Sequence, residues 1–222
     1  MARIVLVAPT AFKGTLRPRQ VADALASGVR RALPEAVVLN CPIADGGDGL
    51  LDAVLPHGNL LERVQVTGPL GTPVEAGLGW IDAQTAIFES ASACGLALLN
   101  PEERDPLRAS SRGVGELLFE AVDRGAETVI VGLGGTATVD GGTGAARGLG
   151  WTFTDAEGNP LPEGGGALPM LATMGGGWGL SARVVALSDV VAPLVGHGTE
   201  ACGRSPCWTC CRSGTPRPHE DA

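Results

Sequence analysis

The stretch Val129–Gly150, VIVGLGGTATVDGGTGAARGLG, sets out residue types in the order that an anion site requires. A short β-branched run enters a glycine turn, a polar insert carrying Thr136, Thr138 and Asp140 follows, and GAARGLG has the composition of a helix start. Glycine lets the backbone come close to an anion and take φ > 0, and a helix end presents unpaired N–H groups. The candidate phosphate cradle is therefore Gly134, Gly135, Thr136, Asp140, Gly141 and Gly142, with Asp140 placed either near a metal ion or as the cap of the next helix. No G-K-[ST] follows these glycines, so the loop is not a Walker A loop, and no clean G-x-G-x-x-G closes the strand. Read without a ligand, the same residues make a tight βα turn. A second candidate is Lys13, the one lysine among sixteen basic residues, which sits in the glycine-flanked loop AFKG.

The elements that must hold these residues read as alternating strands and helices. Arg3–Pro9 is continuously apolar, as a buried parallel strand would be, and Thr10–Thr15 is the loop at its carboxyl end. A helix opens at Pro18 with Val21, Ala22, Leu25, Val29 and Ala32 on one face. Ala36–Cys41 is a second strand leading to PIADGGDG and a helix starting over Leu50–Val54. From Leu60 the pattern becomes short strands (LERVQVTG, VEAGLGWID, TAIFESAS) separated by Gly/Pro turns, as in a mixed or antiparallel sheet. Ser110-Ser111 precede a helix that buries Val114, Leu117, Leu118, Ala121 and Val122 and ends at Gly125. Trp151–Leu161 reads as a hairpin, Gly164–Leu171 as a glycine-rich segment that becomes helical, and Ala182–Asp189 as a last strand. Cys94 and Trp80 read as packing residues.

With 222 residues the chain can bury a sizeable core, and 34 glycines with 16 prolines fit the many βα turns of an α/β protein. A net charge of −8 with no basic cluster argues against a nucleic-acid surface, while a local site can still hold a small anion. No apolar run approaches the roughly 20 residues that span a bilayer, so no membrane partner is expected. The N-terminus lacks a signal-peptide pattern, and the chain reads as cytoplasmic. After about Gly198 the apolar periodicity stops. Four of the six cysteines (Cys202, Cys207, Cys210, Cys211) fall there, at spacings that fit no common zinc set, and a disordered tail read from another frame accounts for them better.

Several loops in one order resemble the bacterial glycerate kinase family (type I) of glyoxylate and sugar-acid catabolism. The matching stretches are APTAFKGTL at Ala8–Leu16, PIADGGDGLLDAV at Pro42–Val54, VTGPLGTPVEA at Val66–Ala76 and RDPLRASSRGVGEL at Arg104–Leu117. IVGLGGTATVDGGTGAARGLG at Ile130–Gly150, DAEGNPLPEGGGAL at Asp155–Leu168 and SDVVAPLVG at Ser188–Gly196 extend the match. The resemblance implies two α/β domains with the active site in the cleft between them. The first, Rossmann-like domain is incomplete here: residues 1–65 supply its N-terminal part, 66–198 form a second domain with a mixed sheet, and 199–222 are a non-family tail. Family members are much longer, and a C-terminal segment with a Gly-Pro-Gln-Lys-Gly-like turn is missing, so truncation is expected. Arg112 stands where the family tends to have an aromatic residue or Thr.

The implied reaction is ATP-dependent phosphorylation of glycerate with Mg²⁺. Phosphoryl transfer needs donors for phosphate oxygens, a divalent ion and a carboxylate to take the hydroxyl proton. Lys13 is expected to supply charge to the transferred group. Asp45 and Asp48, two glycines apart, can approach one Mg²⁺; alternatively Asp45 is the base and Asp48 caps the helix after Gly49. Of Ser110 and Ser111 one is expected to cap its helix, and the other joins Arg104 in binding the substrate carboxylate. Asp189, at a strand end, is a further catalytic candidate. The alternative is a catalytically impaired remnant that binds a sugar acid or nucleotide weakly. A Rossmann-type dehydrogenase is disfavoured by the missing acidic residue beyond a proper glycine fingerprint.

Overall fold

The computed structural model describes residues 3–12, 15–44, 46–47, 49–55 and 61–188. The chain begins with β1 (Ile4–Val7), α1 (Pro18–Ala32) and β2 (Val37–Asn40), where β1 and β2 pair in parallel as a two-stranded sheet. Proline at the first position of α1 fits, because its missing N–H would have had no partner there. The buried face of α1 is Pro18, Val21, Ala22 and Ala26, with Val29 packed beside it against Val7. Leu25 was expected on that face but is 49 % exposed. The expectation of a buried first strand is corrected in the same way. Only Val7 is buried, while Ile4 is 70 % and Leu6 62 % exposed, because α1 covers one face of the pair and no described element covers the other.

A short helix, α2 (Leu50–Val54), leads into a second sheet built from β3 (Leu61–Thr67), β4 (Pro73–Trp80), β5 (Thr85–Glu89), β6 (Thr128–Gly132) and β9 (Arg183–Leu187). In spatial order β3-β4-β5 run antiparallel, then β5, β6 and β9 run parallel. All seven residues of β3 pair with β4, so a division at 65/66 falls inside a strand and the second sheet begins at Leu61. Between β5 and β6 the chain forms α3 (Ala91–Cys94) and α4 (Arg112–Asp123), and after β6 it forms α5 (Thr143–Gly148).

Both faces of β5 and β6 are covered, and the period of two along each strand shows how, while the edge strand β9 stays mostly exposed. Ala86 and Phe88 of β5 and Val129 and Val131 of β6 join the core under α4, with Leu117, Leu118 and Ala121. Ile87, between Ala86 and Phe88, points the other way and packs with Leu50, Leu51 and Leu55 of α2, next to Ile130. Thus α2 binds the N-terminal unit to the second sheet. The helix face expected on α4 is buried as read, with Val122 partly covered, and Gly125 ends it at φ 97°.

The segment after α5 differs from expectation. β7 (Trp151–Thr154) pairs with β8 (Thr173–Gly176) rather than with the residues that follow its turn, and Thr154–Pro160 is a single bridge. The intervening Gly165–Met170 is a 3₁₀ helix whose Ala167 packs on Phe153 and Leu161. Local turn signals at Asp155–Asn159 are satisfied by an Asp155 side chain that accepts from the Glu157 and Asn159 amides, which closes the turn without extending a ladder.

Leu117 is fully buried at the centre of the main core. Leu117→Ala should lower unfolding free energy by about 2–5 kcal/mol, the usual cost of a buried leucine truncation, read as a shift of the urea midpoint at unchanged slope.

Candidate active site

The carboxyl ends of the three parallel strands stop in register: Glu89 lies beside Gly132, and Gly132 beside Leu187. Ligands in open α/β sheets bind at such an edge. Three loops therefore leave one row, one at Ser90, one at Leu133–Gly134 and one at Ser188. The Gly46-Gly47 pair of the ADGGDG loop is pressed onto this row. A Cβ on Gly46 would lie 2.8 Å from the Leu187 carbonyl, one on Gly132 would meet the Gly46 carbonyl, and one on Gly134 would lie 3.2 Å from Gly47 Cα. The two glycine-rich loops thus touch backbone to backbone, which side chains would prevent.

Glu89 fixes the other side of that loop. Its Oε1 accepts from the Gly49 amide at 3.0 Å and the Leu51 amide at 2.9 Å, holding the N-terminus of α2. Glu89 belongs to no motif in the sequence. Its one signal was an acidic residue closing an apolar strand at the edge where the loops gather.

Lys13, Asp45, Asp48 and Asp189 lie outside the described residues. Their neighbours do not: Phe12 and Leu16 hydrogen-bond to each other at 3.0 and 3.1 Å, Gly46-Gly47 and Gly49 flank the two aspartates in sequence, and Ser188 follows the β9 end. Arg104 is half-buried just after the 3₁₀ turn Pro101–Glu103.

The Gly134–Gly142 loop divides into two parts with different bonding. Asp140 is 2 % exposed and accepts four hydrogen bonds. Its Oδ2 takes the Ser111 amide at 2.8 Å, the Ser111 hydroxyl at 2.8 Å and the Gly144 amide at 3.1 Å, and Oδ1 takes the Gly142 amide at 3.1 Å. The Ser111 hydroxyl in turn accepts from the Ala145 amide at 3.0 Å. The expectation of unpaired N–H groups at this helix end is corrected: Asp140 and Ser111 use them, because a buried carboxylate and the helix amides satisfy one another at close range. In contrast, the amides of Gly134, Gly135 and Thr136 donate no hydrogen bond among the described residues. Gly134 and Gly135 have φ of 151° and 63°, and Gly135 is exposed. Three successive free amides at a strand end suit a phosphate group.

Of the serine pair, Ser111 bonds to Asp140 and α5, while the Ser110 hydroxyl accepts from the Arg112 amide at 3.2 Å. Ser110 also hydrogen-bonds to Glu163. Arg112 links Glu116 at 3.2 Å and Glu163 at 2.5 Å, and Glu116 accepts from the Thr67 amide and hydroxyl at 2.6 and 2.9 Å. Burial pushes the Glu163 carboxyl up, but hydrogen bonds from Ser110 and Arg112 and the charges of Arg112 and Arg147 outweigh it, so Glu163 titrates below its ordinary range. Burial first, with the Asp140 charge second, pushes the Cys94 thiol up to about 12, so it stays a neutral packing group.

A model of the glycerate kinase family matches residues 5–202. The chain belongs to the glycerate kinase family. It is 41% identical over 199 residues to glycerate 2-kinase of Escherichia coli K12, covering 86% of this chain and 52% of that protein. It is 42% identical over 173 residues to glycerate kinase of Bacillus subtilis 168, covering 77% of this chain and 45% of the relative. The crystal structure of a glycerate kinase 2 from Salmonella typhimurium LT2 superposes with a TM-score of 0.74 at 39% identity, over 88% of this chain and 55% of that one. The chain spans about half the length of the curated relatives it matches. Among the described residues no helix is long and apolar enough to cross a membrane.

Two stability measurements test this wiring. Asp140→Ala leaves buried donors on α4 and α5 without an acceptor and should cost about 3 kcal/mol in chemical denaturation. A Cβ on Gly144 would lie 2.6 Å from Asp140 Oδ2 and clash with the Ser110 hydroxyl, so Gly144→Ala should destabilise in the same direction. Because the folded Glu163 carboxyl is depressed below its ordinary 4.5, its stabilisation is present above that pH and is lost as pH falls through the folded value. Glu163→Gln should therefore flatten the loss of stability on the acid side of a pH-dependent melting series.

Proposed function

We propose that the chain carries the phosphoryl-transfer site of a glycerate kinase and phosphorylates a glycerate hydroxyl at the expense of ATP. The observation that carries this reading is the cradle at Gly134–Thr136, three amides without hydrogen-bond partners among the described residues, beside the ADGGDG loop on one sheet edge. The names of the relatives bring glycerate to this chain as substrate.

The residues present fit the nucleotide at the backbone. Gly134, Gly135 and Thr136 would hold phosphate oxygens, and the absence of a Cβ at the two glycines lets the chain approach them. Asp48 would hold Mg²⁺, a cation that takes one or two carboxylates and phosphate oxygens. When bound, MgATP supplies the transferred phosphoryl group and neutralises part of its charge. In this reading the Asp45 carboxylate accepts the proton of the attacking glycerate hydroxyl, and Lys13 adds positive charge where the phosphoryl group moves. Arg104 pairs with the glycerate carboxylate through its planar fork. Ser110 and Ser111 orient the wall of the site through Glu163 and Asp140, and Asp189 is the remaining catalytic candidate.

One observation favours the second reading, a chain that binds ligand without turnover. The β1–β2 pair keeps Ile4, Leu6 and Leu39 at least half exposed, although parallel sheets are ordinarily covered on both faces. An assay coupling ADP release to NADH oxidation separates the readings. Glycerate-dependent turnover that falls at least about 100-fold in Asp45→Asn, in the range expected for loss of a general base, supports the kinase. Saturable nucleotide binding with no glycerate-dependent ADP release supports the second reading and overturns the first.

A further inference from the structure

A groove of about 430 Å³ lies between α4, α5 and β7, and none of its lining residues belongs to the glycine loops at the strand ends. Its volume falls within the range of small-ligand sites, roughly 300–1,000 Å³. Arg112 and Arg147 contribute its cations, and Trp151, Phe153 and Pro160 its apolar wall.

The two guanidinium groups differ in their partners. Arg112 is held by Glu116 and Glu163. Among the described residues Arg147 makes no salt bridge and its buried Nε has no hydrogen-bond partner; its Nη2 donates to the Pro162 carbonyl at 3.3 Å, and its guanidinium lies 5.3 Å from the centre of the Phe153 ring. Glu163 is an acidic group close enough to feel Arg147, and it is bonded to Arg112 and Ser110. A buried guanidinium donor without an acceptor is costly, and in a chain of net charge −8 a cation that faces a groove without a direct ion pair among the described residues is unusual. Trp151 completes the feature. Gly177 lies so close to its indole that a Cβ there would clash, which fixes the ring, yet Trp151 remains 38 % exposed.

We propose that this groove is a binding site for a small planar organic anion, with its carboxylate or phosphate head on Arg147 and its flat body against Trp151 and Phe153. Guanidinium matches both kinds of head through paired N–H donors, and an indole held on one side offers a stacking face at little entropic cost. The site is independent of the phosphoryl-transfer reading, since it shares no residue with the glycine cradle, Lys13 or the ADGGDG loop.

Isothermal titration of the full chain with phenyl phosphate, benzoate and inorganic phosphate tests the assignment. Saturable binding of phenyl phosphate or benzoate, at least tenfold tighter than inorganic phosphate, is expected. Arg147→Gln and Trp151→Leu should each weaken it at least tenfold while glycerate and ATP responses stay as in the parent chain. Melting curves confirm that both variants fold, and Thr152→Ser serves as a second lining variant with affinity retained. No saturable binding of either aryl probe overturns the proposal, as does binding that survives Arg147→Gln, and equal affinity for inorganic phosphate overturns the planar-body assignment.

Discussion

The Asp140 carboxylate is the interaction on which the arrangement of the second sheet's loops depends. One buried side chain takes hydrogen bonds from the start of α4 and from the start of α5, so two helices and the loop after β6 are held at a common point. Paired in this way, a carboxylate in a low-dielectric interior stabilises; with its donors removed it would be costly. Gly144 makes room for the arrangement and the Ser111 hydroxyl extends it to Ala145. The far end of the loop is tied to α3 instead, through the Ala137 amide on the Cys94 carbonyl and the Leu96 amide on the Gly135 carbonyl. The amides of Gly134–Thr136 donate to no partner among the described residues.

A second constraint joins the two units. Backbone contact between Gly46-Gly47 and Gly132–Gly134 sets the N-terminal loop onto the strand ends, and Glu89 clamps the residues that follow. Helix α2 then uses the face of the sheet opposite α4, through Leu50, Leu51 and Leu55 on Ile87. Chemistry-bearing loops from residues far apart in sequence are thereby brought to one edge, while the β1–β2 pair stays covered on a single face.

Family membership and geometry carry different parts of the functional argument. The family model and the relatives place the chain in the glycerate kinase family, and the chain spans about half the relatives' length. The geometry identifies which backbone groups have no partner among the described residues and which are used by the fold. The groove beside Arg147 has no counterpart in that reasoning, since it arises where Arg112, α5 and β7 meet.

The sequence by itself determined the element order, the buried face of α4 and the gathering of glycine loops at strand ends, because hydrophobic periodicity and glycine placement are local signals. It also carried the family, through motifs in one order. It could not determine that β7 pairs with β8 across some twenty intervening positions, since pairing partners are chosen by long-range packing. Nor could it show that Leu25, Ile4 and Leu6 stay exposed, because an apolar residue is buried only if some other element reaches it. The bonding within the Gly134–Gly142 loop is likewise a property of the tertiary structure. Asp140 and Ser111 satisfy the helix end that looked open, and the free amides lie one turn earlier, because hydrogen-bond accounting closes only when all three dimensions are present.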